Sequence, residues 1–300
     1  MTTMDPTPFP VEAFDGSRLV AYRWAAQEPV RGVVVIAHGL GEHALRYTPL
    51  ASALSAAGLD VVAADHRGHG ATAADDAELG SFGPGGWEAV VDDFGRVVER
   101  GAAQRPGRPV VALGHSLGSF LLQTYLLDRS DRVAAAVLSG SAALDEVAVL
   151  LDPEVELDLT AFNAPFQPAR TDFDWLSRDP AQVDAYINDP RCGFGLDPAG
   201  VRSLKVAAAR TADPEALTGL RRGLPVYILS GTDDPVHAGL AWLEKLVARY
   251  REAGLDLTVR YYDGGRHEMF NETNRDEVIA ELIAWLNRLP ALSEASTSTA

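Results

Sequence analysis

A serine stands between two glycines in the stretch GHSLG at residues 114–118, directly after the apolar run VVAL at 110–113. This G-x-S-x-G spacing, between an apolar run and a helical pattern, predicts that Ser116 lies on a sharp strand-to-helix turn. Side chains next to such a turn must be small, and Gly114 and Gly118 supply that space. The turn would lift the hydroxyl above the carboxyl edge of a sheet, beside the free amides of the next helix. Ser116 is therefore the candidate nucleophile.

A serine hydroxyl is a poor nucleophile unless a general base removes its proton and an acid orients that base. On this type of turn the partners follow in the chain order serine, acid, histidine. The stretch SGTDDPV at 230–236 places two acids after an apolar run, and GGRHEMFNE at 264–272 places His267 after a later strand pattern. We predict that Asp234 and His267 complete a catalytic triad with Ser116.

Other acids and histidines compete for these roles. Asp233 lies in the same loop as Asp234, which we prefer because it follows a three-residue turn after the last glycine of the strand. Asp263 is too near His267 in the chain to orient its imidazole. We expect a structural role for His237, near the start of a helix. The remaining histidines precede or adjoin the serine, which is the wrong order for the base: His38, His43, His66, His69 and His115.

Two glycine-rich loops follow earlier apolar runs. We expect the first, AHGLGEH at 37–43, to give the backbone amide of Leu40 to an oxyanion hole, whose second amide would be that of Leu117. The second loop, DHRGHG at 65–70, places its histidines in a turn and not on a helix face beside an acid, where helical zinc motifs have them. We expect that loop to pack beneath the active site, and we predict neither a metal nor a cofactor.

Strand and helix patterns alternate along most of the chain, which predicts a mainly parallel sheet with helices on both faces. Apolar or alternating runs predict strands at 18–24, 33–37, 60–64, 110–113, 133–138, 226–229 and 257–262. Helical patterns lie between them, at 47–57, 87–104, 117–127, 240–253 and 275–289. The serine, acid and histidine loops would all open on the carboxyl edge of this sheet.

The alternation stops between the fifth and sixth predicted strands. Residues 144–220 contain scattered acids, prolines and aromatics, with helical patterns at 145–151, 180–187 and 198–211. We predict that this segment is a lid over one end of the sheet, which would exclude water and shape a substrate pocket. An inserted structural subdomain is the alternative. Five aromatic side chains would line an acyl pocket or form the core of the lid itself: Phe162, Phe166, Phe173, Trp175 and Phe194.

We accordingly assign residues 1–143 and 221–290 to the core and residues 144–220 to the lid. The small, polar residues 291–300 predict a disordered tail. The chain has 300 residues, of which 47% are hydrophobic, and this is enough for one large domain with a lid.

The composition also bears on partners and location. A net charge of −16 disfavours nucleic acid or an anionic membrane surface as a partner. No apolar run reaches the roughly 20 residues of a membrane span, and the first residues lack the pattern of a signal peptide. Cys192 is the single cysteine and cannot form an internal disulfide. We therefore expect a cytoplasmic protein without stable membrane insertion.

Five stretches in this order, HGLGEH, DHRGHG, GHSLG, SGTDDPV and GGRHEMFNE, resemble the monoacylglycerol lipase and lysophospholipase branch of the α/β-hydrolase fold. This branch is also described as serine-aminopeptidase-like. The resemblance extends over residues 11–289 and is weakest across 144–220. It implies an eight-stranded, mainly parallel sheet, and it implies the triad and the oxyanion hole assigned above.

The resemblance also bears on three further residues. It implies that Glu42 and Arg46 lie near the polar glycerol end of a substrate, although a salt bridge that holds the loop would explain the same two residues. Ser119 stands where many members have a second glycine, which would tighten the packing of helix on strand without touching the chemistry.

Together these features predict a serine hydrolase that cleaves carboxylic esters through an acyl-enzyme. Monoacylglycerols, lysophospholipids and other small monoesters with an apolar acyl or aryl group are all possible substrates. The same triad serves amidases, acyltransferases and carbon–carbon hydrolases, which are the alternatives among enzymes. A non-catalytic ligand-binding relative is the alternative outside enzymes, and the intact serine, acid and histidine argue against it.

Overall fold

An eight-stranded sheet forms the centre of the fold. The computed structural model describes residues 4–27 and 29–294. Within this part the strands are β1 (Thr7–Glu12), β2 (Arg18–Trp24), β3 (Gly32–Ala37), β4 (Leu59–Ala64), β5 (Val110–His115), β6 (Ala135–Ser139), β7 (Pro225–Gly231) and β8 (Asp256–Tyr262). Their order in the sheet is β1-β2-β4-β3-β5-β6-β7-β8, and pairing is antiparallel at β1–β2 and β2–β4 and parallel elsewhere.

Helices cover both faces of this sheet. The α-helices are α1 (Thr48–Ala56), α2 (Gly86–Gln104), α3 (Leu117–Arg129), α4 (Leu144–Leu150), α5 (Pro180–Ile187), α6 (Pro198–Ala208), α7 (Pro214–Leu217), α8 (Ala241–Glu252), α9 (Arg275–Asn287) and α10 (Pro290–Glu294). Short 3-10 turns occupy Ala44–Tyr47, Asp76–Glu78, Ser130–Arg132, Leu159–Phe166, Asp174–Leu176, Ala209–Ala212, Pro235–His237 and Met269–Asn271. The predicted fold class, a mainly parallel eight-stranded α/β sheet, is confirmed.

The central strands are apolar throughout because both of their faces are buried. In β3, Val33 and Val35 point into a core with α2, α3 and α8, whereas Val34 and Ile36 point into a second core with α1, α9 and α10. Successive side chains of a strand alternate between its faces, so a strand between two helical layers needs a continuous apolar run. The sequence pattern therefore located these strands.

Two segments differ from the sequence prediction. β1 was not predicted, because its sequence TPFPVE carries prolines at positions 8 and 10. Proline is tolerated on an edge strand, which is where β1 lies. The predicted tail begins too early, because residues 291–294 belong to α10, and Leu292 is fully buried in the second core. The rest of that predicted tail, 295–300, lies outside the described residues.

A long insertion joins β6 to β7. It contains α4 to α7, and its two distant segments meet in a bridge between Leu157 and Leu196. Leu159, Trp175 and Leu204 of the insertion are buried in the same core as α3 and α8. The insertion therefore packs directly on the carboxyl edge of the sheet. Within the part of the chain that the structure describes, no helix has both the length and the apolar character needed to cross a membrane.

Candidate active site

Ser116 lies on the turn between β5 and α3, in a strained backbone conformation. Its φ is +51° and its ψ is −119°, a region that residues other than glycine rarely adopt. Backbone contacts hold the turn: the Ser116 amide donates to the Ser139 carbonyl at 2.9 Å, and the Ser116 carbonyl accepts from the Ser119 amide at 2.8 Å. The Ser119 hydroxyl also donates to that carbonyl at 2.6 Å. Ser119 thus supports the serine turn, which goes beyond the packing effect expected for it.

Two glycines let this turn form. A Cβ on Gly118 would lie 2.1 Å from the carbonyl oxygen of Ala37, and a Cβ on Gly114 would lie 2.3 Å from the carbonyl oxygen of Gly118. Both obstacles are backbone atoms, which cannot move aside as a flexible side chain could. The turn therefore requires glycine at both positions, as the spacing of the motif predicts.

Alanine at Gly118 should lower the free energy of unfolding by about 3 kcal/mol, because the strand and the helix must move apart. The matched control is Gly95→Ala in α2, where the nearest atom to the new Cβ is 3.6 Å away. That change should stabilise the protein by about 0.5 to 1 kcal/mol, since alanine is the better helix former. Urea unfolding of both variants measures the difference; equal midpoints would contradict the steric argument.

His267 and Asp234 form a buried pair. The imidazole Nδ1–H donates to Asp234 Oδ2 at 2.9 Å, and both residues are about 2% exposed. The other carboxylate oxygen accepts from the amide of Val236 at 2.9 Å, which fixes the acid at the end of β7. Burial opposes charge on both groups, but their mutual attraction outweighs it. The pKa of His267 is therefore raised, and the pKa of Asp234 is lowered.

The second nitrogen of His267, Nε2, is not used in the contact with Asp234. Nε2 is buried and has no hydrogen-bond partner among the described residues. Ser116 and His267 line the same cavity. The rings of His115 and Trp175 flank the imidazole, each with its centroid 4.8 Å away. The arrangement leaves His267 with one occupied and one free nitrogen, as a general base requires.

The competing residues lie elsewhere or have other partners. Asp233 and Asp263 are exposed. His237 is fully buried, its Nε2 donates to the carbonyl of Gly231 at 2.8 Å, and its Nδ1 accepts from the amide of Leu240 at 2.9 Å. These contacts give His237 a structural role in the loop that carries Asp234.

The amides of Leu40 and Leu117 are the two candidate oxyanion donors. Both residues border the cavity with Ser116. Within residues 4–27 and 29–294, neither backbone amide has a hydrogen-bond partner. The loop that contains Leu40 lies close to the serine. A Cβ placed on Gly39, the residue before Leu40, would be only 3.2 Å from the Ser116 Cβ.

Glu42 and Arg46 belong to a buried ionic network that includes Glu268. Arg46 donates to Glu42 at 2.7 Å and to both carboxylate oxygens of Glu268 at 2.5 and 2.7 Å. Glu42 also accepts from the Tyr47 hydroxyl at 2.7 Å and from the Gly39 amide at 2.5 Å. Burial opposes the charge on Glu268, but Arg46 outweighs it and lowers the pKa of Glu268 to about 2.

Sequence reasoning missed Glu268, although it directly follows His267 in the stretch GGRHEMFNE. Nothing local marks it, since its partner Arg46 lies 222 positions away. The salt bridge that was left open for Glu42 and Arg46 is present, and both carboxylates border the cavity.

Three histidines of the glycine-rich loops, His38, His66 and His69, are buried, and their rings hydrogen-bond to backbone groups. Burial lowers the pKa of His66 to about 3 and the pKa of His69 to about 4, so both rings are neutral at pH 7. A different group brings three possible metal ligands within 4.8 Å of one another in the described part of the chain: His43, Asp189 and Cys192. The imidazole of His43 bonds to Asp189 at 2.9 Å and so ties the loop after β3 to the insertion.

The cavity beside Ser116 has a largely apolar wall from the insertion and the helices next to it. Of the five aromatics noted in the sequence, Phe162 and Trp175 line the cavity, and their ring centroids lie 5.0 Å apart. The other three pack outside it. Phe166 stacks under Arg266, Phe173 packs on Tyr186, and Phe194 packs on His69. The remaining apolar lining includes Leu144, Val147, Leu151, Leu157, Leu159, Leu196 and Leu204.

Known proteins share this architecture over nearly the whole chain. Monoacylglycerol lipase of Mycolicibacterium smegmatis is 34% identical over 274 residues, covering 90% of this chain and 93% of that protein. Monoglyceride lipase of Homo sapiens is 28% identical, covering 92% of this chain and 89% of that protein. Among solved structures, a highly thermostable carboxyl esterase from Bacillus coagulans in complex with glycerol superposes with a TM-score of 0.82 at 26% identity, covering 96% of this chain and 99% of that chain.

The fold is that of the α/β-hydrolases, and the protein is a serine hydrolase that cleaves carboxylic esters. The serine aminopeptidase S33 family matches residues 28–274. The chain belongs to this family.

Proposed function

We propose that Ser116, Asp234 and His267 are the catalytic triad and that the amides of Leu40 and Leu117 form the oxyanion hole. One observation carries this assignment: the strained serine borders the same cavity as His267, whose Nδ1 is held by Asp234 and whose Nε2 has no partner among the described residues. Nucleophile, orienting acid and base thus follow one another along the chain in the required order, and the contacts of each residue fit its role.

The chemistry follows from these positions. His267 Nε2 takes the hydroxyl proton as Ser116 Oγ attacks the ester carbonyl carbon, and the two amides stabilise the resulting oxyanion. The oxyanion then collapses, the bond to the alcohol oxygen breaks, and His267 returns its proton to the departing alcohol. Water attacks the acyl-enzyme in the same way, giving its proton to His267, and the Ser116 oxygen leaves with that proton.

The substrate that fits best is a monoester of a neutral, hydroxylated alcohol, such as a monoacylglycerol. The apolar lining suits an acyl chain. Beside it, Glu42 and Glu268 carry two negative charges against the single positive charge of Arg46. This excess negative charge disfavours the phosphate of a lysophospholipid. The relatives named monoacylglycerol lipase and monoglyceride lipase support the same choice.

We further propose that residues 144–220 act as a lid on a core formed by 1–143 and 221–290. Three contacts support this view, because they join the insertion to the loops of the site: Gly193 N to Gly41 O at 3.0 Å, His43 to Asp189, and His267 N to Trp175 O at 3.3 Å.

A cytoplasmic location is also proposed, and the free, partly buried thiol of Cys192 supports it.

A fluorophosphonate probe and a panel of esters test the function together. The probe should label one residue, Ser116, as located by peptide mass spectrometry. In the panel, kcat/KM should be at least about 10-fold higher for monoacylglycerols than for lysophosphatidylglycerol of the same acyl chain, whose head group carries a net negative charge, because one charged contact is worth about 1.4 kcal/mol or more. Labelling elsewhere would contradict the triad, and a preference for the phospholipid would contradict the substrate class.

A further inference from the structure

The direction of the Leu40 amide is set by the carbonyl of the residue before it. In a trans peptide the C=O of Gly39 and the N–H of Leu40 lie in one plane and point in opposite directions. The carbonyl oxygen of Gly39 accepts a hydrogen bond from His38 Nδ1 at 2.8 Å. While this bond lasts, the Leu40 N–H must point away from His38, and the bond thus prevents the peptide from flipping.

The imidazole of His38 can make this bond in only one tautomer, which His66 selects. The backbone N–H of His66 donates to His38 Nε2 at 2.9 Å, so that nitrogen carries no proton and Nδ1 must carry one. His38 is fully buried. Burial and the neighbouring His66 and His69 hold the pKa of His38 well below its ordinary value, so the neutral ring persists.

The peptide bond between His38 and Gly39 is also fixed, because both its carbonyl and its N–H are hydrogen-bonded. His66 Nε2 donates to the His38 carbonyl at 3.1 Å, and the Gly39 amide donates to Glu42 at 2.5 Å. The polar groups that lead up to the Leu40 amide are therefore all occupied, whereas that amide has no partner within the described residues. Two glycine-rich loops thus cooperate on one peptide orientation.

We propose that His38, with its tautomer fixed by His66, is a positioning residue that keeps the oxyanion hole preformed. The inference rests on the proposed triad and on Leu40 as an oxyanion donor. His38 touches no substrate; it acts by holding the Gly39 carbonyl, so that the Leu40 N–H needs no reorganisation when charge develops on the substrate oxygen. This assigns a function to the histidine pair that the sequence alone left as packing.

A pair of amide substitutions tests the proposal. His38→Asn places an N–H near the position of Nδ1 and keeps the bond to Gly39, whereas His38→Gln places its amide near Nε2 and loses that bond. His38→Gln should lower kcat by about 100-fold with KM changed by less than about 3-fold, which is the loss expected for one oxyanion donor. His38→Asn should retain at least about 10-fold more kcat than His38→Gln. The loss should be equal for p-nitrophenyl butyrate and for a monoacylglycerol.

Affinity for a trifluoromethyl ketone distinguishes positioning from general damage. This inhibitor forms an oxyanion on the serine, so its Ki should rise in parallel with the fall in kcat/KM. The control is His69→Phe, which replaces another buried imidazole of the same cluster, one that bonds to the carbonyl of Arg67 and not to Gly39, and it should keep kcat within about 3-fold. Equal kcat for the Asn and Gln variants, or an unchanged Ki, would overturn the role of His38. Full activity of Ser116→Ala would instead overturn the triad itself.

Discussion

Ser116→Ala should lower kcat for p-nitrophenyl butyrate by at least about 10⁴-fold and abolish fluorophosphonate labelling. Without the hydroxyl there is no nucleophile to form an acyl-enzyme, and only binding and the oxyanion amides remain to act on the substrate. The loss should fall on kcat, because the cavity wall and the amides of Leu40 and Leu117 are unchanged.

The same change should leave the fold intact. The Ser116 hydroxyl makes no hydrogen bond to any described residue, and the turn is held by backbone groups and the Ser119 hydroxyl. Alanine has the same Cβ, so the strain of the positive φ is the same, and the unfolding free energy should change by less than about 0.5 kcal/mol. Ser55→Ala is the matched control, since Ser55 is fully buried and bonded to Trp24 but does not border the cavity. Retained turnover in Ser116→Ala at the wild-type rate would refute the nucleophile assignment.

Asp234→Asn should lower kcat by about 10⁴-fold, because an amide cannot enforce the tautomer that leaves Nε2 free. An asparagine N–H can donate to Nδ1, and the proton then moves to Nε2, where it blocks removal of the serine proton. Asp233→Asn is the matched control in the same loop. Asp233 is exposed, and the change should keep kcat within about 2-fold.

The pH dependence of these two variants gives a second readout. His267 must be neutral to act as base, so kcat/KM of the wild type should fall as the pH drops through the pKa of His267, which is raised above its ordinary value. In Asp234→Asn the carboxylate that raises this pKa is gone, and burial then lowers it. The acid limb should therefore move to lower pH, while Asp233→Asn keeps the wild-type limb. A limb that does not move would show that Asp234 does not face the base.

The sequence located the elements whose pattern is local. Continuous apolar runs identified the buried strands, and the G-x-S-x-G turn was recognisable from five consecutive residues. Gly114 avoids a clash with the nearby carbonyl of Gly118, whereas Gly118 avoids one with the carbonyl of Ala37 on β3. The prediction of an α/β-hydrolase sheet and of an ester hydrolase is confirmed. The triad and the oxyanion hole stay predictions, with a geometry that suits them.

The features that the sequence did not predict depend on distant contacts. The role of Glu268 depends on its salt bridge with Arg46, which is far away in the chain. The role of the His38–His66 pair depends on hydrogen bonds to backbone groups that the sequence does not reveal. β1 carries two prolines that argue against a strand, and only its place at the sheet edge makes them acceptable. Each of these is a tertiary effect that overrides or supplements a local preference.

The insertion is one continuous piece of chain between β6 and β7, and it therefore resembles an exchangeable module. Its hydrogen bonds contradict this impression. The amides of His267 and Glu268 donate to the carbonyls of Trp175 and Leu176, respectively. Just beyond them, Arg178 forms a salt bridge with Glu272. A chimera that imports the corresponding segment of a relative must reproduce these backbone contacts or lose the alignment of its imidazole. New substrate ranges in this architecture are therefore more accessible through side-chain changes within the native insertion than through its wholesale replacement.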